Sequence, residues 1–384
     1  MTRPSPGEAA DILIVDDNPS NLHLLAQTLG ERGYRVRAVT SGARAIESVL
    51  AEPPDLILLD IRMPGMDGFE VCRQLKADPR IQDIPVLFIS ALDDIPDKVN
   101  AFAAGGVDYI TKPFHVEEVL ARTETHLALR RLTTRLEETN AKLERELRLA
   151  GKLQASFLPV ALPDVPGWRL AASLQPANQT SGDFYAVIPL PTGDLGLLIA
   201  DVVDKGISAA LMMAMSWGLF WMYAAEYPDD PARVFSAINR SLLQLLGGEQ
   251  FLTGFYGVLA PKSGQLSYVN AGHSPPIWLQ SGRGQQEKLG LTGMPLGLFE
   301  DSQWDVVSVR LEPSDGLVLY TDGVTEAQRP GSPLFGADGL DRALAEARGK
   351  NAHQIVETIL EAVDRHAGGA TQSDDIALLV VTHA

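Results

Sequence analysis

From His115 to Ala150 the chain contains neither glycine nor proline, and Leu, Glu, Arg and Ala dominate the stretch. Such a run predicts one long helix from about His115 to Phe157, stopped by Pro159, Pro163 and Pro166. It divides the 384 residues into a part before and a part after, each long enough for a core of its own. Leu129, Leu136, Leu143, Ala150 and Phe157 recur every seven residues, with Leu132 and Leu153 offset by three, while Thr139 and Glu146 interrupt the second seam. A helix docked on a domain accounts for that stripe, and so does pairing of two chains. The expectation taken forward is a homodimer through this helix, because an exposed apolar stripe needs a partner.

Charge and composition remove several classes. With 49 acidic against 32 basic residues the net charge is -17, so the basic field of a nucleic-acid binder is missing and no such partner is expected. A single cysteine, Cys72, rules out an internal disulfide and a multi-cysteine zinc site, and fits a reducing cytoplasm. Met1 to Ala10 lacks the basic start and apolar stretch of an export signal. Ile207 to Ala225 is uncharged and approaches the ~20 residues that span a bilayer. It is broken by Ser208, Ser216 and Gly218 and ends at Glu226 without a basic anchor, so a core helix is expected rather than membrane insertion.

Ahead of the helix, short apolar runs (DILIV, RVRAV, DLILL, PVLFI, VDYI) alternate with amphipathic segments such as Leu22 to Arg32 and Phe69 to Ala77. This alternation predicts a parallel sheet covered by helices on both faces. Asp16 and Asp17 follow the first run, Asp60 the third, Ser90 the fourth and Lys112 the fifth. Groups at the carboxyl ends of such strands gather in one crevice. Three carboxylates suit magnesium, and a hydroxyl with an ammonium can hold a phosphoryl group. Singly, each of these residues reads equally well as a helix cap or a solvated lysine. Together, from about Asp11 to Ala128, they resemble the receiver domains of two-component response regulators. The resemblance implies a flavodoxin-like α/β fold with a doubly wound, five-stranded parallel sheet. It implies Asp60 as phosphoacceptor, with Asp16, Asp17, Asp60 and the Arg62 carbonyl holding Mg2+. Ser90 and Lys112 would contact the phosphoryl group, Tyr109 would be the switching aromatic, and the Lys112–Pro113 peptide would be cis. The implied upstream partner is a sensor histidine kinase.

Beyond the helix lie strand-like runs (LGLLIADVV, GFYGVLA, LSYVNA, GLVLYTDGV, IALLVV) and two helical ones, Ile207 to Ala225 and Pro231 to Leu246, which predict an α+β domain. Four acidic motifs stand at the edges of β-prone runs: SGDFYA with Asp183, IADVVDKG with Asp201, YTDGVTEA with Asp322, and SDDIALLVV with Asp374 and Asp375. Turn aspartates look alike one at a time. Carboxylates from separate strands, with no His or Cys beside them, point to magnesium or manganese rather than zinc. Two such ions about 4 Å apart can bridge a water and aim it at phosphorus, so direct phosphomonoester hydrolysis is the expected chemistry.

With QASFLP from Gln154 to Pro159 and NAGHSPP around His273, these motifs resemble the stage II sporulation protein E class of PPM metal-dependent serine/threonine phosphatases, over about Leu149 to Thr382. The resemblance implies two stacked antiparallel sheets between helical layers and two Mn2+ or Mg2+ ions. Asp201 would bridge both, Asp322 and Asp374 would complete one, and Asp183 with the Val202 carbonyl would serve the other. Two departures are visible: Ala186 stands where the family often has a further Asp, and Asp204 near where it has Ser or Thr. Lys205 reads as a surface lysine or a phosphate contact, and His273 as a turn residue or a proton donor.

The expected domains are residues 8–128, 129–157 and 158–384. The expected whole is a cytoplasmic response regulator whose phosphorylation at Asp60 controls a protein serine/threonine phosphatase. The family implies a phosphorylated anti-sigma-factor antagonist as substrate. The alternative is a non-catalytic, phosphorylation-dependent adaptor for a sigma or anti-sigma pathway protein; an adaptor need not keep Asp183, Asp201, Asp322 and Asp374 together, and this chain has all four. A nucleotide cyclase output finds no signature and no Gly-rich phosphate loop.

Overall fold

A computed structural model describes residues 9–90, 95–159 and 161–384, in two compact units divided between Lys142 and Leu143. In the first unit β1 (Asp11–Val15), β2 (Arg35–Val39), β3 (Leu56–Asp60), β4 (Val86–Ser90) and β5 (Asp108–Thr111) form a parallel sheet in the order β2-β1-β3-β4-β5. This is the flavodoxin-like doubly wound order. Helices α1 (Pro19–Glu31), α2 (Gly42–Ala51), α3 (Gly68–Ala77) and α4 (Ile95–Ala103) connect the strands. Strand side chains alternate between two cores. Leu13, Val15, Ile57, Leu59 and Phe88 meet Ala45, Val49, Val71 and Leu75 of α2 and α3. Ile12, Ile14, Leu58 and Ile89 meet Leu22, Leu25 and Leu29 of α1. Covering both faces is why β3 and β4 are buried throughout and read as unbroken apolar runs.

The long helix, α5, runs unbroken over Val116–Ala155. Its first turns belong to the first unit: Arg122 pairs with Asp108 at 2.7 Å, His126 reaches Asp108 at 3.1 Å, and Arg130 donates to the Asp55 carbonyl at 2.6 Å. From residue 131 to 146 every residue is exposed. The stripe leucines stand in solvent, Leu132 with 66% of its surface free. Gly151 sits within the helix, a position that costs about 1 kcal/mol against alanine. A packing reason exists: a Cβ at Gly151 would run into the Gln179 carbonyl oxygen.

In the second unit one antiparallel sheet contains β7 (Phe184–Pro189), β8 (Leu195–Val202), β9 (Leu252–Ala260), β10 (Gln265–Ala271) and β13 (Val307–Arg310). The other contains β6 (Trp168–Gln175), β11 (Ile277–Gln280), β12 (Gln285–Lys288), β14 (Gly316–Tyr320) and β15 (Ile376–His383). The sheets share a core through Tyr185, Val187, Leu197, Ile199, Leu317, Leu319, Leu379 and Val381. The opposite parity, Phe184, Ala186, Leu198 and Ala200, faces α6 (Ile207–Glu226) and α7 (Pro231–Leu246). On the far side, Val318, Leu378 and Val380 face α9 (Gly336–Glu346) and α10 (Ala352–Ala367). The result is the α+β sandwich expected from the sequence.

Helix α6 is long and apolar enough to cross a membrane by length and composition, yet Ala209, Met212, Met213, Ser216, Phe220 and Ala224 are buried in the domain core. Its Trp217 packs on Trp221 and on Phe157, which follows α5, each at 5.4 Å between ring centroids. The surplus of large side chains on α6 is thus absorbed partly by the segment leaving the long helix.

Candidate functional site

In the first unit, oxygens of Asp16, Asp17 and Asp60 lie within 4.8 Å of one another. Asp16 and Asp60 are buried and Asp17 is exposed. The Lys112 ammonium touches Asp16 Oδ2 and Asp60 Oδ2, each at 2.8 Å. Asp16 also accepts from the Asn18 backbone N–H at 2.8 Å and from Asn21 Nδ2 at 2.9 Å, which fixes its rotamer. Burial raises the Asp60 carboxyl above its usual range, the hydrogen bond and charge of Lys112 pull it back, and the Arg62 backbone N–H adds to that pull. A cavity of about 570 Å³ beside Asp17, Arg62, Met63 and Asp67 gives this corner access to solvent. Ser90 is buried at the end of β4, and the Tyr109 ring meets Phe102 edge-on at 6.1 Å. The Lys112–Pro113 peptide is cis.

In the second unit the parity of the sheet decides which carboxylates can meet. Asp183 precedes β7 and Asp201 lies near the end of β8, both on the parity that faces the other sheet. Asp322 opens α8 (Asp322–Glu326) directly after β14, and Asp374 and Asp375 precede β15. All five therefore arrive at one end of the sandwich. Asp183, 3% exposed, has its carboxyl raised well above the usual range by burial first and by the charge of Asp201 next, and its Oδ2 has no hydrogen-bond partner. Asp201 is raised to about 7, mainly by burial, with Asp322, Asp374 and Asp375 adding negative charge. Asp322 is raised by burial and by Asp374. Charges of one sign collected out of water need a cation. One is supplied at the exposed edge: the ammonium of Lys205, a side chain 55% exposed, stands 3.0 Å from Asp374 Oδ2, while Asp374 Oδ1 accepts from the Asp375 N–H at 2.9 Å. An orphaned buried carboxylate oxygen amid all-oxygen donors fits hard divalent cations. Among the described residues, the second unit's carboxylates do not close to the 4.8 Å spacing of the first cluster.

The carbonyl of Val202 points at the loop before β7, 3.2 Å from where a Cβ on Gly182 would stand. Asp375, to which no role was assigned from sequence, pins that loop: its Oδ1 accepts from the Ala177 N–H at 2.7 Å and its Oδ2 from the Gly182 N–H at 2.8 Å. Gln154, at the end of α5 and 7% exposed, grips the same loop, donating to the Ser181 carbonyl at 2.5 Å and accepting from the Ser181 N–H at 2.9 Å. Its only signal in the sequence was its place at the head of QASFLP.

Four further residues singled out in the sequence have defined surroundings. Ala186 faces the helix-side core, on the other face of the sheet from Asp183 and Asp201, so a carboxylate there would enter an apolar cluster. Asp204 is exposed, with positive φ, and holds Lys205 N–H and the Ser208 hydroxyl in a local turn. His273, 2% exposed, is bound to Thr253 Oγ1 through Nδ1 at 2.9 Å, and burial lowers it to about 4. Lys205 belongs to the acidic cluster through Asp374 instead of standing free.

Gly323 tests how tightly this end is built, since a Cβ there would collide with the Asp375 carbonyl oxygen. The Gly323→Ala protein is expected to lose about 1–3 kcal/mol of stability, the usual cost of overpacking. Thermal unfolding would check this, and an unchanged melting temperature would contradict it.

A family model described as stage II sporulation protein E matches residues 191–384, and one described as response regulator receiver domain matches residues 12–124. Protein IcfG of a Synechocystis species is 29% identical over 320 residues, 75% of this chain and 50% of that protein. The phosphoserine phosphatase RsbU of Bacillus subtilis is 29% identical over 226 residues, 58% of this chain and 65% of RsbU. The chain thus spans half of IcfG and just under two thirds of RsbU. The SiaA-PP2C domain of Pseudomonas aeruginosa superposes with a TM-score of 0.57 at 18% identity, covering 64% of this chain and 99% of that one, a likeness of fold.

Proposed function

Because the chain belongs to the stage II sporulation protein E family and carries a response regulator receiver domain ahead of its family domain, we propose that it is a phosphorylation-controlled, metal-dependent protein serine/threonine phosphatase. One observation supports this most: buried and half-buried carboxylates from four separate chain segments gather at one end of the sandwich, with Asp183 Oδ2 unpartnered. Asp201, with Asp322, Asp374, Asp183 and the Val202 carbonyl, would hold two Mn2+ or Mg2+ ions, Asp201 shared between them, Asp322 and Asp374 on one side, Asp183 and the Val202 carbonyl on the other. The chemistry supplied by such ions is activation of water against a phosphoester. The chain's own part is to hold Asp183 by its pinned loop, to exclude bulk water from Asp201, and to offer Asp374 in exchange for Lys205.

In the receiver domain, Asp60 accepts a phosphoryl group from a sensor histidine kinase, and Asp16, Asp17, Asp60 and the Arg62 carbonyl would hold the Mg2+ that assists the transfer. Ser90 and Lys112 contact that group, and Tyr109 reports it. The signal passes along α5, whose exposed leucines pair two copies into a homodimer, to Gln154 and the Asp183 loop. The family implies a phosphorylated anti-sigma-factor antagonist as substrate and a cytoplasmic setting.

The test is Mn2+-dependent phosphate release from a phosphoserine protein by the full chain, with and without acetyl phosphate, for the parent, Asp60→Ala and Asp60→Glu. Acetyl phosphate is expected to change the parent's rate by about 5–150-fold, the range of ordinary allosteric coupling, and to leave Asp60→Ala unmoved. Equal rates in all three proteins under both conditions would end the regulatory reading.

A further inference from the structure

A phosphoester has to reach the carboxylate end of the second unit against that end's own charge. Asp183, Asp201, Asp322, Asp374, Asp375 and Glu326 act on one another there through their charges. Two divalent ions would offset four of the six negative charges these residues carry when ionised. A phosphomonoester, with about 1.5 to 2 negative charges near neutral pH, adds to the excess. Binding one calls for a further positive group beside the metal ligands.

Lys205 stands where such a group is needed. Its ammonium donates to the Ser373 carbonyl at 2.8 Å and pairs with Asp374 Oδ2 at 3.0 Å. Among the described residues, no other Lys or Arg forms an ion pair with any of the six acidic side chains. Asp322 and Glu326, both raised first by burial, are pulled back by the charge of Lys205. The backbone on either side is shaped for this placement. Asp204 has a φ of 85° and Gly206 one of 82°, a left-handed region that costs a non-glycine residue of order 1–3 kcal/mol. The Asp204 carboxylate holds the turn, accepting from the Lys205 N–H at 2.8 Å and from the Ser208 hydroxyl at 3.0 Å. A lysine that only solvates the surface needs no such turn, whereas this one reaches a segment 168 positions away in sequence.

We propose that Lys205 is a substrate-binding residue that meets the phosphoryl oxygens of the phosphoprotein, an assignment that rests on the two-metal reading above. An ammonium carries three N–H donors. The Ser373 carbonyl takes one and keeps the side chain aimed. A second is released from Asp374 when that carboxylate turns to a cation, and the third is uncommitted among the described residues. Two donors and a positive charge then face the solvent side of the cluster, since the Lys205 side chain is 55% exposed and Asp183 only 3%. Charge-assisted hydrogen bonds of this kind are about twice as strong as neutral ones.

Calorimetry of the full chain saturated with Mn2+ and titrated with inorganic phosphate tests the assignment in the parent, Lys205→Met and Lys205→Arg. The receiver's acidic cluster is the same in all three and cancels from the comparison. Lys205→Met should bind phosphate about tenfold or more weakly, the worth of one hydrogen bond to a charged group. Its kcat/KM for p-nitrophenyl phosphate should fall by a similar factor, and Lys205→Arg, which keeps the charge, should recover most of both. Mn2+ titrated without phosphate should bind Lys205→Met at least as tightly as the parent, whereas a lysine that merely supports the fold would lose metal affinity together with phosphate. The assignment falls if Lys205→Met binds phosphate like the parent, if its Mn2+ affinity drops in step, if Lys205→Arg recovers nothing, or if the Mn2+-loaded parent binds no phosphate. A parent that binds phosphate through Lys205 yet hydrolyses no phosphoester would remove the phosphatase reading and leave the binding role standing.

Discussion

The Asp201→Asn protein is expected to fold as the parent does and to release phosphate more than about a hundredfold more slowly, beyond the roughly 10–100-fold lost when an outer-shell partner of a metal is removed. Asp201 sits where burial and three neighbouring carboxylates raise its carboxyl to about 7. Asparagine keeps the shape and removes the charge, so repulsion within the metal-free cluster falls and the fold is not penalised. On the proposed two-metal reading, the same change would also remove the ligand shared between the two cations. A readout independent of turnover follows by linkage: at a Mn2+ concentration about 100 times its Kd, binding adds about 2.7 kcal/mol to the parent's stability, several degrees in the melting temperature of a unit this size. Asp201→Asn should lose most of that shift. An Asn variant that hydrolyses phosphoserine at the parent's rate would remove Asp201 from the metal site and with it the reading of the C-terminal unit as a two-metal hydrolase.

How far the sequence foretold this structure depended on burial. The five runs of the first unit fall within one residue of the observed strands, because strands covered on both faces are apolar throughout and end sharply at Asp60 and Ser90. The second unit was harder. Edge strands β12 (QQEK) and β13 (VSVR) are mostly exposed and carry no apolar signal. The run GLVLYTDGV reads as one strand, yet it turns at Thr321 into α8, whose first residue is Asp322. Helices α9 and α10 went unread although α10 carries a capping box, Asn351 with Gln354, since their apolar stripes are interrupted by charged residues on the outer face. The carboxylates themselves were legible as motifs. The residues that aim them were not: Asp375 and Gln154 act through backbone groups of a loop some 20 to 200 positions away in sequence, and no spacing rule connects them.

Gln154 carries the second large effect. Its side chain satisfies both backbone groups of Ser181, two residues before Asp183, and the close approach of the Gln179 carbonyl to Gly151 seals the same contact one turn earlier. In Gln154→Leu, the Ser181 N–H and carbonyl lose their partners at about 1–3 kcal/mol each, and the loop relieves that cost by moving away from the helix. Asp183 moves with it, and the end of α5 no longer grips the loop. The expected result is a basal phosphatase rate at least about tenfold below the parent's and a ratio of rates with and without acetyl phosphate that falls to about one, against the 5–150-fold of ordinary coupling. Phosphorylation at Asp60, in the other unit, should proceed as in the parent, and Lys152→Ala, an exposed change on the same helical turn, should leave both rate and response intact. If Gln154→Leu still answers acetyl phosphate with the parent's ratio, the helix does not speak to the Asp183 loop through this amide; the Gly151 contact with Gln179 and the Phe157 contact with Trp217 are other physical routes from this end of the helix into the domain.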